Sequence, residues 1–382
     1  MKPARFSYSS LHTELGNRLV DAAGLADIRA KVEAGERLTF ADGLKLYGTR
    51  NLAAVGLLAN RVRTRLHGQR TYFNQNQHVN YTNICIYSCK FCAFAAKEGE
   101  ERAYLMTPAI VEQKIKEHLH EEVDEVHMVA GIHPTMPYEY YLDIVRAAKR
   151  ARPGIHVKAF TMVEIDHMLK ISGKSEDAVF EDLRAAGLGS CPGGGAEVLT
   201  DRVHKAVFRE KTSPQEWLAT ARKVQAHGFK MNATMLYGHI ERPEERVQHL
   251  VQLRELQDEC GNFMAFIPLA FWPYHTDLEN YGHVTTGWAD LRNSAVSRLM
   301  LDNFHTIKAY WIMLTPSSAQ TALAFGANDI DGTVTEEKIT HDAGTPAPMR
   351  LSRRELVSLI REAGYVPVLR NTTYDRELSF SE

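Results

Sequence analysis

From residue 78 onward, short apolar runs alternate with amphipathic segments, and this alternation limits the chain to very few folds. The runs are 78–84, 125–130, 155–160, 187–191, 229–235, 263–269, 307–314 and, most weakly, 329–334. Helical segments with clear boundaries lie between them. Thr107-Pro108 opens a helix carrying Val111, Ile115 and Leu119 on one face. Ser213-Pro214-Gln215-Glu216 is a capping box closed by Gly228, Pro243 opens a helix ending at Gly261, and Ser352 with Glu355 forms a second box before Gly364. Eight strands alternating with helices over about 260 residues predict a (β/α)8 barrel. A six-stranded open barrel with an added C-terminal part and a doubly wound sheet are the alternatives.

The chemically unusual segments each follow an expected strand. Cys85 to Cys92 follow the first, Gly131-Ile132-His133-Pro134 the second and Glu164 the third. Pro192-Gly193-Gly194-Gly195 follow the fourth, Tyr237-Gly238-His239-Ile240-Glu241 the fifth and His275 the sixth. Active-site loops of a parallel barrel converge at its C-terminal rim, so these groups are expected to share one mouth. Ahead of the barrel, Leu11, Leu15 and Leu19, then Leu52, Val55 and Leu58, recur at helical spacing. The expected division is a helical extension over residues 1–74, the barrel over 75–340, and a C-terminal extension over 341–382.

The 382 residues carry 45 basic and 47 acidic side chains, a net charge of −2, so no bulk field favours nucleic acid or an anionic membrane. Residues 1–6 show no signal-peptide pattern, and no run approaches the roughly 18 apolar residues of a spanning helix. The expectation is a cytoplasmic protein.

Of the five cysteines, three stand in Cys85-Ile86-Tyr87-Ser88-Cys89-Lys90-Phe91-Cys92, while Cys191 and Cys260 stand alone. A zinc site would need a second CxxC or CxxH pair, and the chain has none. A 4Fe-4S cluster normally takes four thiolates. Three in one loop leave one iron open to a ligand from outside the protein. The alternative outside enzymology is an iron–sulfur or zinc protein used for structure or electron transfer.

The C-x3-C-x2-C motif, with Phe91 before its last cysteine, resembles the radical S-adenosylmethionine (SAM) superfamily. From about residue 76 to 374 the chain is similar, more narrowly, to the aminofutalosine synthase family of the futalosine route to menaquinone. That likeness is carried by Asn76-Gln77-His78-Val79-Asn80, Thr82-Asn83, Lys158-Ala159-Phe160-Thr161 with Glu164-Ile165, and Pro192-Gly193-Gly194-Gly195-Ala196-Glu197. Asn232 to Glu241, Ala265 to Phe271, Ser297 to Asn303, Lys308-Ala309-Tyr310-Trp311, Asp331-Gly332-Thr333-Val334 and Glu336-Glu337-Lys338-Ile339 extend it. Cyclic dehypoxanthinyl futalosine synthase and the radical SAM subunits that build deazaflavin share part of these segments. The last three tilt the likeness to aminofutalosine synthase. Two departures stand out: Ala130-Gly131 replaces a pair of glycines, and Cys191 replaces a leucine.

The resemblance implies a 4Fe-4S cluster on Cys85, Cys89 and Cys92, SAM as a consumed co-substrate, and an electron donor such as flavodoxin or ferredoxin. It implies a 5′-deoxyadenosyl radical that adds to the vinyl carbon of 3-[(1-carboxyvinyl)oxy]benzoate. Rearrangement and decarboxylation then give 6-amino-6-deoxyfutalosine. The expected partner is therefore a small aryl enolpyruvyl ether with two carboxylates.

Each candidate residue has a functional role and a plainer one. Phe91, Gly131, Glu164, Gly193, Gly194 and Gly195 are expected around SAM, the glycines against ordinary turns and Glu164 against a loop carboxylate. Arg298, amid apolar neighbours, either binds a substrate carboxylate or pairs with Asp302. His133, His239 and His275 bind substrate or move protons, against the plainer role of satisfied polar groups, Tyr237 binds substrate or packs in the core, and His133 and Arg298 are the two expected in catalysis beside the cysteines.

Overall fold

The structure, a computed structural model, describes residues 10–280 and 283–378; the expectation for residues 1–6 lies outside them. Strands β1 Arg70–Asn74, β2 Asn76–Val79, β3 Glu125–Met128, β4 His156–Ala159, β5 Leu188–Cys191 and β6 Lys230–Tyr237 are followed by β7 Phe263–Ala270, β8 Thr306–Ile307, β9 Asp329–Gly332, β10 Val366–Arg370 and β11 Glu377–Leu378. β2 to β8 form a seven-stranded sheet whose spatial order is the order in the chain. Every pair in it is parallel. A doubly wound sheet requires a reversal of strand order, and this sheet has none.

The eighth expected strand needs correction. β9 belongs to a second sheet, ordered β11-β10-β1-β9. The same segment still closes the barrel through isolated parallel bridges, Lys308↔Asp329 on one side and Gln77↔Thr335 on the other. Ala309 N donates to Asp329 O and His78 N to Thr335 O, both at 2.8 Å. The interruption has a local cause: Asp331 and Val334 adopt φ of 66° and 48°, left-handed values incompatible with a continuous strand. The result is a near-complete (β/α)8 barrel.

The run 307–314 is also corrected. Only Thr306–Ile307 is strand, and Trp311–Leu314 is a helical turn. Trp311, Ile312 and Leu314 are buried, which accounts for the apolar run, and Trp311 anchors the turn by donating Nε1–H to Gly332 O at 2.8 Å. Short apolar runs of strand and buried helix look alike in sequence.

The four N-terminal helices, Ser10–Ala22, Ala26–Ala34, Phe40–Gly48 and Leu52–His67, form as expected. Leu52, Val55 and Leu58 are buried, whereas Leu15 and Leu19 are exposed. The stretch expected to stay helical to residue 74 ends in β1, which runs parallel to β10 and so ties the two ends of the chain together. Both expected capping boxes are present, on helices Pro214–Ala226 and Arg353–Glu362.

The barrel strands and the adjoining sheet carry buried charge pairs. Lys158 pairs with Glu125 at 2.5 Å, Lys308 with Asp331 at 3.3 Å, and Arg370 with Asp329 at 2.7 Å. Each charge is compensated locally, as burial demands.

Candidate active site

The cysteine loop leaves the end of β2 and is held by backbone bonds before any ligand arrives. Cys85 N donates to Ala96 O at 3.0 Å, Ile86 N to Ile132 O at 2.9 Å and Lys90 N to Val207 O at 2.9 Å. Lys97 Nζ caps the carbonyls of Cys85, Ile86 and Tyr87 at 2.9, 3.1 and 3.1 Å. Ile132 N–H points at Cys85 Sγ, 3.4 Å away. Amide donors of this kind favour a charged, metal-bound sulfur.

As bare thiols Cys89 and Cys92 resist ionisation. Burial pushes Cys89 up to about 12, partly opposed by Lys211, and burial raises Cys92 as well. Cationic iron supplies the missing incentive, because metal binding displaces thiol protons. Among the described residues no three His, Cys, Asp or Glu side chains converge as ligands of a single ion. A cubane does not require such convergence, since each cysteine holds a different iron.

The three cysteines open onto a cavity of about 320 Å³ at the C-terminal rim. Phe91, Gly131, Gly194 and Gly195 line it with them, as do the apolar side chains of Val129, Leu236, Ile267, Leu269 and Phe271 and the polar side chains of His78, His127, Asp331 and Glu337. Gly131 must be glycine for the loop to sit where it does: a Cβ there would lie 2.4 Å from Ile84 O and 3.0 Å from Cys85 Cβ. Gly193 supports the turn from outside the lining, at φ 76°.

Glu164 does not line the cavity. It is fully buried at the start of helix Met162–Ile171, accepting from Thr161 N at 2.7 Å, Thr161 Oγ1 at 2.8 Å and Tyr81 OH at 2.5 Å. The sequence holds this third capping box in plain view as Thr161 and Glu164. Burial raises the Glu164 carboxyl from 4.5 to about 7, outweighing those hydrogen bonds. Between these pH values the folded state binds more protons than the unfolded one, so stability falls as pH rises through the window and levels off above about 7. Glu164→Gln preserves the cap and is expected to remove this slope, worth roughly 3 kcal/mol at most. Urea unfolding of the holoprotein at pH 5 and pH 8 measures it.

The other expected substrate contacts are placed elsewhere. Arg298 is buried, but its guanidinium donates to the carbonyls of Gly326 (2.9 Å), Phe304 (3.1 Å) and His305 (3.3 Å) and to Asn328 Oδ1 (2.5 Å). It fastens the segment that enters β8 to the segment that enters β9, and neither the cavity nor Asp302 is its partner. Tyr237 donates to Asp290 Oδ1 at 2.9 Å inside the core. His239 is sealed between Leu236 O, at 3.0 Å, and Glu241, at 3.3 Å. His275 is exposed on a turn with its backbone held by Glu279. His133 is buried and accepts from Thr135 N at 3.2 Å, while its neighbour Ile132 is the residue that lines the cavity.

Two polar groups that the sequence did not single out do line it. Lys211 Nζ meets Glu197 Oε1 at 2.5 Å and lies 5.3 Å from the Phe91 ring and 4.8 Å from the Phe208 ring. Burial opposes the charge on Lys211, yet Glu197 and the nearby thiols raise its pKa overall. Glu197 could have been found from its place just after the glycines. Lys211 gives no local signal.

A three-thiolate loop over a barrel-mouth cavity defines an iron–sulfur enzyme of the SAM-cleaving kind, and comparison with known proteins agrees. Residues 79–253 match the radical SAM superfamily and residues 260–380 the CofH/MqnC C-terminal region. The chain is 48% identical to aminodeoxyfutalosine synthase of Thermus thermophilus, over 92% of this chain and 95% of that one. It is 42% identical to aminodeoxyfutalosine synthase of Streptomyces coelicolor, over 93% and 95%. Methylornithine synthase shares the fold at a TM-score of 0.67 and 18% identity, covering 89% of this chain and 97% of that one. The chain belongs to the radical SAM superfamily, in the family that contains aminodeoxyfutalosine synthase, and its cofactors are a 4Fe-4S cluster and SAM.

Proposed function

We propose that this chain joins the adenosyl carbon of SAM to 3-[(1-carboxyvinyl)oxy]benzoate and yields 6-amino-6-deoxyfutalosine. What supports the reading is the continuity of one cavity, from the three cysteines into an apolar chamber, together with the 48% identity to a synthase of that name. Cys85, Cys89 and Cys92 hold the cluster. When bound, the cluster supplies one electron to the sulfonium, the chemistry that makes SAM an adenosyl donor.

The remaining work falls to the chain. Lys211 and Glu197 offer a cation and a carboxylate beside the cysteines, a pair matched to the carboxylate and ammonium of the methionine moiety. Gly131, Gly194 and Gly195 let main chain approach the nucleotide, Phe91 walls it, and Glu164 positions Thr161 in the lining. Val129, Leu236, Ile267, Leu269 and Phe271 exclude water and present few polar groups to a reactive carbon. They must hold the vinyl carbon about 3–3.5 Å from the adenosyl C5′. The electron comes from a donor such as flavodoxin or ferredoxin. We place the enzyme in the cytoplasm without nucleic acid or membrane partners; among the described residues no helix is long and apolar enough to cross a bilayer.

Reduced, anaerobic protein incubated with SAM and the enolpyruvyl benzoate is expected to give an adenosyl–substrate adduct with the mass of 6-amino-6-deoxyfutalosine. Free 5′-deoxyadenosine without that adduct overturns the proposal.

A further inference from the structure

Two imidazoles among the residues lining the cavity have no assigned task. His78 on β2 and His127 on β3 are register partners, and their rings lie 4.4 Å apart at an interplanar angle of 35°. His78 is 4% exposed, and its Nε2 has no hydrogen-bond partner. A polar atom buried this deeply is normally satisfied, so the folded chain leaves room for a partner from outside. Burial pushes both imidazoles below their usual range, which keeps each ring neutral with one N–H to donate.

The carboxylates around this place are already engaged and are not free to hold a cation beside the imidazoles. The nearby carboxylates already have partners: Glu125 has Lys158, Asp331 has Lys308 at 3.3 Å, and Glu337 accepts from Thr340 N at 2.9 Å and His341 Nδ1 at 3.1 Å. The segment facing the pair carries unusual strain, with Asp331, Val334 and Glu336 at φ of 66°, 48° and 67°. Strain of this kind gathers where a ligand is held.

Distance along β3 gives the orientation. Gly131 abuts the cysteine loop, and His127 precedes it by four residues, at most about 13 Å of extended chain. The vinyl carbon of the substrate must lie at the cysteine end, and the enolpyruvyl carboxylate is bonded to that vinyl group. The arene carboxylate is at the far end of the molecule and points away from the cluster.

We propose that His78 and His127 form the seat of the arene carboxylate, each donating N–H to one of its oxygens. The inference rests on the function proposed above. It assigns the pair to substrate binding and to selection for a negatively charged arene substituent.

The test compares the substrate with its analogue bearing a carboxamide on the arene, using wild type, His78→Leu, His127→Leu and His78→Gln. Wild type is expected to prefer the carboxylate by at least about tenfold in kcat/KM, as loss of a charged hydrogen bond implies. Each leucine variant is expected to raise KM for the substrate about tenfold with kcat nearly unchanged and to erase the preference, and His78→Gln to recover part of it. Iron content and slow SAM cleavage without substrate report that the variants are folded. Wild-type preference retained in both leucine variants overturns the inference. If those variants fail to fold, the wild-type comparison decides alone: equal use of carboxylate and carboxamide overturns it. Absence of any adduct with wild type instead removes the functional proposal, and this inference with it.

Discussion

Gly193→Ala is expected to leave little stable protein. Its φ of 76° is left-handed, which costs an alanine about 1–2 kcal/mol. The added Cβ would also stand 1.7 Å from Asn232 O and 2.3 Å from Asn232 C, main-chain atoms of central strand β6 that have no free direction in which to move. Overpacking of this kind adds about 1–3 kcal/mol or more, so the total loss should exceed roughly 3 kcal/mol. Gly154→Ala is the control: a Cβ there meets nothing within 4 Å, and its effect should stay within about 0.5 kcal/mol. Thermal or urea unfolding of the three proteins, with soluble yield, checks the contrast.

Alanine at Cys85, Cys89 or Cys92 is expected to abolish SAM cleavage while the barrel remains folded. Two thiolates cannot hold the cubane against loss of iron, and the loop itself is kept in place by backbone bonds and Lys97, none of which involves a cysteine side chain. Cys191→Ala and Cys260→Ala should retain the cluster. Cys191 is buried in β5 and burial pushes its thiol up, so it behaves as a small apolar filler. Its truncation should cost about 1 kcal/mol of stability and no iron. Iron and sulfide content, the visible absorption and the reduced-state paramagnetic resonance signal separate the two groups.

The barrel, its strand order and the cysteine loop were legible because each leaves a local trace: alternation, caps, and spacing. Gly131, Gly194 and Gly195 reached the cavity because glycine marks a close approach wherever it falls. The histidines, Tyr237 and Arg298 were misplaced for the converse reason. A polar residue after a strand points inward or outward according to turns such as Gly238 at φ 98°, which sequence spacing does not specify. Arg298 was sound as a buried cation, but its partners are carbonyls 6, 7 and 28 residues away, and carbonyls leave no mark in a sequence. Lys211 and the His78–His127 pair were passed over because their meaning is wholly spatial. The break left only a faint trace: Asp331 is of a type that tolerates the left-handed region, but Val334 is β-branched and gives no sign of it.

The segment between residues 328 and 335 fills the gap between β8 and β2 and is itself stitched to β1. That flank of the barrel is therefore closed by the chain's own carboxy-terminal third, so whatever loosens this segment also parts β8 from β2.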